Sequence, residues 1–113
     1  MIRICPDETL INEPCSVVAV AVANGGNKIP VQVSKADGYM TLEDMNRYVR
    51  SNLHVAKRVY YKRGQRPKLC ELECNGRAII CVLGHYIYVE DEKYYSFFDN
   101  LNDDVISIWF LKD

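Results

Sequence analysis

The sequence predicts an α+β fold, in which helices in the first half pack against an antiparallel sheet formed by the second half. Residues 42–52 carry apolar side chains at helical spacing. From Gly76 onward, short apolar and aromatic runs alternate with turn residues, which is typical of β-strands. The helical and strand patterns are segregated along the chain, and this indicates α+β rather than α/β. With 113 residues, the chain fits a single domain, 1–113, with one core.

Composition and charge exclude several functional classes. The chain is 49% hydrophobic and 26% charged, with a net charge of −1, so its overall charge gives no reason to expect nucleic acid or membrane as a partner. No apolar stretch approaches the roughly 20 residues that span a bilayer. The N-terminal residues include Asp7 and Glu8 and lack the apolar core of a signal peptide. We therefore expect a cytoplasmic protein that does not bind membranes.

The first half predicts a short strand, a loop and a buried helix. Residues 1–4 are consistent with the strand and residues 5–13 with the loop. Residues 15–23 are small and apolar throughout, so periodicity alone fits either a buried strand or a buried helix. Pro14 before this run and Asn24-Gly25-Gly26 after it favour the helix.

The middle of the chain predicts one amphipathic helix and one strand. Residues 29–33 are expected to be extended, and residues 36–38 to form a turn. Thr41 is the expected N-cap of a helix over 42–52, because Asp44 follows it three residues later as in a capping box. Residues 54–61 are then expected to form a strand, which leaves the first of the two histidines, His54, on the surface.

The second half predicts an antiparallel meander, in which consecutive strands are neighbours, after one short element. Residues 67–74 fit a short helix, with a strand as the competing interpretation. The four predicted strands are 77–83, 85–90, 94–98 and 105–111.

The five cysteines predict free thiols rather than a disulfide framework, because their number is odd and a cytoplasmic protein is kept reduced. Cys70, Cys74 and Cys81 suggest a zinc site, but no fourth ligand has a suitable spacing. We therefore expect buried small thiols, with no metal and no cofactor.

Cys15 and His85 are the candidate catalytic pair. Cys15 opens the predicted helix, where the helix N-terminus and a nearby imidazolium both stabilise a thiolate. His85 begins a predicted strand, and Asp99 ends the next one. A carboxylate in that position would fix the tautomer of the imidazole and stabilise its charged form. The order Cys15, His85, Asp99 thus predicts a cysteine nucleophile with a general base and an orienting residue.

The third residue of this arrangement depends on the hairpin between the strands 85–90 and 94–98. With a two-residue loop at Asp91-Glu92, His85 lies opposite Phe98 and shares its face of the sheet with Ser96. With a three-residue loop, His85 lies opposite Asp99. Neither loop contains the glycine or asparagine that its turn prefers, so both remain open. We favour Asp99 because serine carries no charge, and Ser96 is the alternative.

The motifs of both halves resemble those of small papain-like cysteine peptidases. Residues 76–91 read GRAIICVLGHYIYVED, and the strands that follow contain YYSFFD at 94–99 and VISIWF at 105–110. This pattern is similar to the C-terminal half of minimal phage-encoded cysteine peptidases and of bacterial peptidases that trim double-glycine leaders. The segment PCSVVAVA at 14–21 resembles their catalytic-cysteine helix. The resemblance implies a papain-like fold and a cysteine-dependent amide hydrolase or acyl transferase that acts on a protein or peptide.

The sequence departs from that family at the oxyanion donor and beside the cysteine. Papain-like enzymes usually carry a glutamine six residues before the cysteine, where this chain has Thr9. The nearest amide is Asn12, which we expect to hold the oxyanion together with the Cys15 N–H. Ser16 follows the cysteine where many relatives have glycine. The loss of one oxyanion donor typically lowers the rate by roughly 10²–10³.

Two alternatives come from other functional classes. The first is a catalytically inactive papain-like interaction protein, of phage origin, that binds a host protein. The second is a nucleic-acid-binding module that uses the basic segment from Lys57 to Lys68, in which Tyr60 and Tyr61 are interleaved with lysine and arginine. A solvated surface that protects a sheet edge explains the same segment, and we favour that explanation over nucleic acid.

Overall fold

The computed structural model describes residues 1–25 and 41–112, and in these ranges the chain forms two α-helices and a six-stranded sheet. This confirms the predicted α+β class. The elements are β1 (Ile2–Ile4), α1 (Cys15–Ala23), α2 (Leu42–Asn52), β2 (Val55–Tyr60), β3 (Arg77–Val82), β4 (His85–Glu90), β5 (Lys93–Tyr95) and β6 (Val105–Leu111). The extended piece expected at 29–33 and the turn expected at 36–38 lie outside the described residues. Neither of the two helices is both long enough and apolar enough to cross a membrane.

The sheet is mixed rather than purely antiparallel, and its strand order is β1-β5-β4-β3-β6-β2. Strands β2 to β6 pair in the antiparallel sense that the sequence predicted. The exception is β1, which adds to the edge of the sheet parallel to β5. The antiparallel sense is therefore predicted correctly for the last five strands, but the meander is not, because β6 pairs with β3 and β2 instead of β5. The parallel pairing of β1 was not expected either.

Helix α1 is buried on nearly all sides, which explains why its residues are small and apolar throughout. One face packs on β3 and β4 and contributes Val17 and Val20 to a core that includes Trp109. Another face carries Val18 and contacts the segment around Leu10. Alanine and valine let the sheet, α2 and the N-terminal segment approach the helix closely at the same time. The helical interpretation of this run is confirmed.

Helix α2 begins and is anchored as its sequence pattern predicts. The Thr41 side chain accepts a hydrogen bond from the Asp44 N–H, which caps the first turn. The apolar face buries Met45, Tyr48 and Val49 against the same core as α1.

The opposite face of the sheet is covered by the N-terminal residue and by loop segments around Leu69 and Leu101. The helix predicted over 67–74 is only a single 3₁₀ turn at Leu69–Glu71. The Cys70 N–H bonds to the Leu101 carbonyl, and Lys68 forms a β-bridge with Asp104. These bonds tie the segment to the loop before β6, so the backbone cannot continue as a helix.

The hairpin between β4 and β5 has a two-residue loop, with positive φ angles of 47° at Asp91 and 67° at Glu92. Aspartate adopts this conformation more readily than most residues do, but it is unfavourable for glutamate. The two side chains offset the strain, because Asp91 accepts a hydrogen bond from the Gly76 N–H and Glu92 accepts one from the Cys74 N–H. The loop length sets the register that aligns the strand 85–90 with the segment after β5.

Candidate active site

A cleft of about 440 Å³ lies where the start of α1 meets the start of β4. One wall is the turn that precedes α1, and the other is formed by β4 and the segment that follows β5. Cys15 and His85 both lie in this cleft, as the sequence predicted. The lining residues are Ile11, Glu13, Cys15, Val18, His85, Tyr86, Tyr95, Ser96, Phe97 and Phe98.

Cys15 is the first residue of α1 and is half-buried. The helix has no side-chain cap, because the N-cap residue is Pro14. The first intrahelical bond is donated by Val18 to the Pro14 carbonyl, so the N–H of Cys15 has no partner within the helix. Cys15, which lines the cleft, therefore carries both a thiol and a backbone donor that the helix leaves unpaired.

His85 opens β4 and is half-buried between the cleft and the segment after β5. Its ring packs edge-on against Phe98, with a distance of 5.6 Å between ring centroids. Burial lowers the pKa of His85 below its ordinary value, while the negative charge of Asp103 acts in the opposite direction. His85 is therefore held mainly as the neutral imidazole near pH 7, the form that accepts a proton.

A chain of hydrogen bonds leads away from His85 into the protein. His85 Nε2 lies 3.4 Å from Ser96 Oγ, and Ser96 Oγ lies 2.6 Å from Asn100 Oδ1. The Asn100 Nδ2 donates to Asp103 Oδ2 at 2.7 Å. Ser96 is 2% exposed and Asn100 is 4% exposed, so water competes little with these bonds.

The chemistry of the groups fixes the direction of each bond in this chain. A carboxylate only accepts, so the amide nitrogen of Asn100 must face Asp103 and its oxygen must face Ser96. Ser96 therefore donates its hydroxyl hydrogen to Asn100 and accepts from the Phe98 N–H at 3.1 Å. The remaining acceptor position of Ser96 Oγ faces His85, so Nε2 is the ring nitrogen that carries hydrogen. His85 Nδ1 is then a free acceptor, with no partner among the described residues.

Asp99 does not contact His85, which corrects the preference derived from the sequence. Asp99 is exposed, and its Oδ1 accepts from the Tyr94 hydroxyl at 3.3 Å and from the Leu101 N–H at 3.1 Å. The reason is the two-residue loop at Asp91-Glu92, which brings Ser96 rather than Asp99 to the histidine. The alternative third residue is thus the one that pairs with His85.

The expected oxyanion donor Asn12 is exposed and does not line the cleft. It lies in the turn between Ile11 and Glu13, both of which do line it. Thr9, at the position of the family's glutamine, has its hydroxyl bonded to Asp7. No side-chain amide is present among the lining residues that the structure describes, and the Cys15 N–H is the donor that the helix start provides.

Three residues of the site were not singled out from the sequence: Asn100, Asp103 and Glu13. Both Asn100 and Asp103 lie in the segment between the predicted strands 94–98 and 105–111, where the structure forms a turn with the Asp103 N–H bonded to the Asn100 carbonyl at 3.0 Å. The signal available was the pair Asn100 and Asp103 at a spacing of three, which places both side chains on one side of such a turn. Glu13 is not part of any motif in the sequence, and only its position in the lining of the cleft identifies it as a residue of the site.

None of the other four cysteines lines the cleft, and their environments differ. Cys5 and Cys70 are exposed, while Cys74 and Cys81 are buried in cores on opposite faces of the sheet. Burial raises the pKa of the Cys81 thiol to about 11, so it remains protonated at neutral pH. Within residues 1–25 and 41–112, no group of three or more histidine, cysteine or acidic side chains is placed to hold a metal ion.

The basic segment from Lys57 to Lys68 is partly engaged within the protein. Arg58 stacks over the Trp109 ring at 5.0 Å and donates to Ser107, and Lys68 pairs with Asp104 at 2.9 Å. Tyr61 packs against the core, whereas Tyr60 is exposed. Two of the cations thus have intramolecular partners, which weakens the case for a nucleic-acid surface. His54 is exposed, as predicted.

Comparison with protein-family models, with curated proteins and with solved structures finds no match to this chain.

Proposed function

We propose that the protein is a cysteine-dependent amide hydrolase or acyl transferase of papain-like architecture, with a protein or peptide as its substrate. The observation that carries the proposal is the placement of Cys15 and His85 in one cleft, with His85 Nε2 occupied by Ser96. That arrangement leaves Nδ1 to take the proton of a thiol. The order of Cys15 and His85 along the chain is also the order of the papain-like family.

In the proposed reaction, the Cys15 thiol gives its proton to His85 Nδ1, and the sulfur attacks the carbonyl carbon of the bound amide. The carbonyl oxygen becomes an oxyanion that accepts a hydrogen bond from the Cys15 N–H at the start of α1. The carbon–nitrogen bond then breaks, and the leaving amine takes the proton from His85. The resulting thioester reacts with water in a hydrolase or with a second nucleophile in a transferase.

The chain Ser96, Asn100 and Asp103 has a positioning role in this proposal. It fixes the ring and the tautomer of His85, and Asp103 places a negative charge at the far end. A charge relayed through two neutral side chains stabilises imidazolium less than a carboxylate in direct contact. Burial also favours the neutral ring. Cys15 and His85 are therefore proposed to react from a neutral pair more than from a preformed thiolate–imidazolium pair.

Activity-based labelling tests the function. The protein is incubated with a set of acetylated tetrapeptides that end in a vinyl sulfone, and the adducts are mapped by mass spectrometry. The expected result is one adduct, on Cys15, which is absent in Cys15→Ala and at least tenfold slower in His85→Ala, as removal of a general base requires. Equal adduct formation on the exposed Cys5 and Cys70 would contradict the proposal.

A second candidate is a non-catalytic binding protein that uses the same cleft. The observation that favours it is Glu13, a carboxylate in the lining, where a catalytic site would hold a neutral or positive oxyanion donor. An acid in this position opposes the charge that develops in acyl transfer. A protein without Cys15-specific labelling that still binds peptides would support this candidate.

A further inference from the structure

We infer that the cleft selects a peptide segment in which a lysine or arginine side chain lies next to a large apolar side chain, with Glu13 as the residue that binds the cation. This inference rests on the proposed role of the cleft as the peptide-binding site. It adds the substrate class, which the catalytic arrangement alone does not define.

The charge of the cleft favours a ligand that carries a cation. Among the described residues that line the cleft, Glu13 is the single carboxylate, and none is a lysine or an arginine. Glu13 is half-buried, and within the described residues no cation lies within ion-pair distance of it. Its charge also contributes, after burial, to raising the pKa of Tyr48 to about 12, which places it close to the apolar core. A half-buried carboxylate without an ion pair gains most from a cation that the ligand brings.

The apolar rim of the cleft favours an apolar group beside that cation. Ile11 is 62% exposed and Phe98 is 63% exposed, and both line the cleft. Large apolar side chains with this exposure at the edge of a cavity are typical of binding sites. Ile11 lies two residues before Glu13, so the apolar contact and the charged contact are adjacent. A ligand that matches both carries a cation beside an apolar group.

The same positive charge can come from a side chain or from the amino terminus of a peptide. Glu13 alone recognises either, as an ammonium or guanidinium group. We commit to the side chain because Ile11 and Phe98 are exposed at the rim, where a peptide that continues beyond the cation gains apolar contacts. The experiment below separates the two sources.

Equilibrium binding to the Cys15→Ala protein tests the inference without turnover. The probes are fluorescent, acetylated and amidated pentapeptides with Phe-Lys, Phe-Gln or Phe-Glu at the centre, together with a free-amine Phe-Gln peptide. We expect Phe-Lys to bind roughly three- to tenfold more tightly than Phe-Gln. This gain lies between the contributions of exposed and of buried charge pairs to affinity. Phe-Glu should bind most weakly. Stronger binding of the free-amine peptide than of Phe-Lys would overturn the side-chain assignment.

Charge variants supply the control. Glu13→Lys should reverse the order of Phe-Lys and Phe-Glu, and Glu13→Gln should remove most of the preference while keeping the fold. Glu8→Lys makes the same charge change at an exposed residue outside the lining and should leave the order unchanged. An unchanged order in Glu13→Gln, or no binding of any peptide, would refute the inference. Lysine-dependent binding without Cys15-specific labelling would instead refute catalysis and leave this inference standing.

Discussion

Ser96 Oγ lies 3.4 Å from Nε2 of His85, the candidate base. Ser96 is only 2% exposed, so the histidine is held by a buried side chain. The serine is fixed in turn by Asn100 and the Phe98 N–H. A serine in this position is neutral, so the negative charge nearest to the histidine along this chain of bonds is that of Asp103. The site thus differs from a Cys-His-Asp arrangement with the acid in direct contact, and the difference has measurable consequences.

The first prediction concerns the charge of Asp103, at the far end of the hydrogen bonds that lead from His85. Asp103→Asn keeps an oxygen that can accept from Asn100 and removes only the charge. Since the Asp103 charge raises the pKa of His85 against the effect of burial, its removal should lower that pKa further. The measurement is an NMR titration of the histidine ring protons. Asp99→Asn is the control and should leave the titration unchanged, and the reverse pattern would show that Asp99 is the residue that acts on His85.

The second prediction concerns the stability that the buried amide contributes. Asn100→Ala removes the acceptor for the Ser96 hydroxyl and the donor to Asp103. The loss of these bonds at a site that is 4% exposed should lower the free energy of unfolding by about 1–3 kcal/mol. Urea denaturation measures this value. The neighbouring Asn102 is exposed, so Asn102→Ala should change stability by less than about 0.5 kcal/mol. Equal effects of the two substitutions would mean that the hydrogen bonds of Asn100 do not stabilise the fold.

The third prediction is a pH dependence of stability that originates at His85. Burial lowers its pKa in the folded protein, so the unfolded chain binds the proton more readily. The contribution of His85 to the free energy of unfolding is fully present above its pKa of about 6.5 in the unfolded chain. It is lost as the pH falls through the lower pKa that His85 has in the folded protein. Urea denaturation from about pH 8 down to about pH 5 should show this decline. His85→Gln should flatten the profile, whereas substitution of the exposed His54 by Gln should not. A profile that is unchanged in His85→Gln would place the titrating group elsewhere.

The fourth prediction concerns the turn that sets the register. Glu92→Ala removes the side-chain acceptor of the Cys74 N–H and leaves the positive φ at residue 92 without compensation. We expect a loss of about 1–3 kcal/mol in the free energy of unfolding, measured by urea denaturation. Glu73→Ala changes an exposed glutamate in the adjacent loop and serves as the matched control. A negligible loss in Glu92→Ala would show that the side-chain bond does not hold the turn.

The sequence predicted the elements that have strong local signals. Helix α1 was predicted from Pro14 and Asn24-Gly25, which flank an apolar run. Helix α2 was predicted from the helical spacing of its apolar residues and from its Thr41 cap. The strands of the second half were also predicted, with the third, at 94–98, ending earlier than expected, at Tyr95. The parallel addition of β1 to β5 was not predicted, because a pairing between residues some ninety positions apart leaves no local pattern in three residues.

The candidate site was predicted in part, and the remainder depended on long-range contacts. Cys15 and His85 share a cleft because two well-predicted elements pack together. The choice between Ser96 and Asp99 depended on one residue of loop length, and the side-chain bonds of Asp91 and Glu92 to the segment 74–76 decided it. Those bonds join positions far apart in the chain, and no local turn preference contains them. The roles of these residues in catalysis stay predictions.

The reactivity of Cys15 shows whether it works together with His85. The rate of iodoacetamide labelling is measured for each cysteine against pH by mass spectrometry, in the wild type and in His85→Ala. Cys5 and Cys70 are the exposed references, and Cys81 is the buried one. We predict that Cys15 is labelled faster than both exposed cysteines at about pH 7 to 8, because the neutral His85 can take the thiol proton as the sulfur attacks, and that His85→Ala removes this advantage. Labelling of Cys15 at the rate of Cys5, with no dependence on His85, would contradict the catalytic pairing.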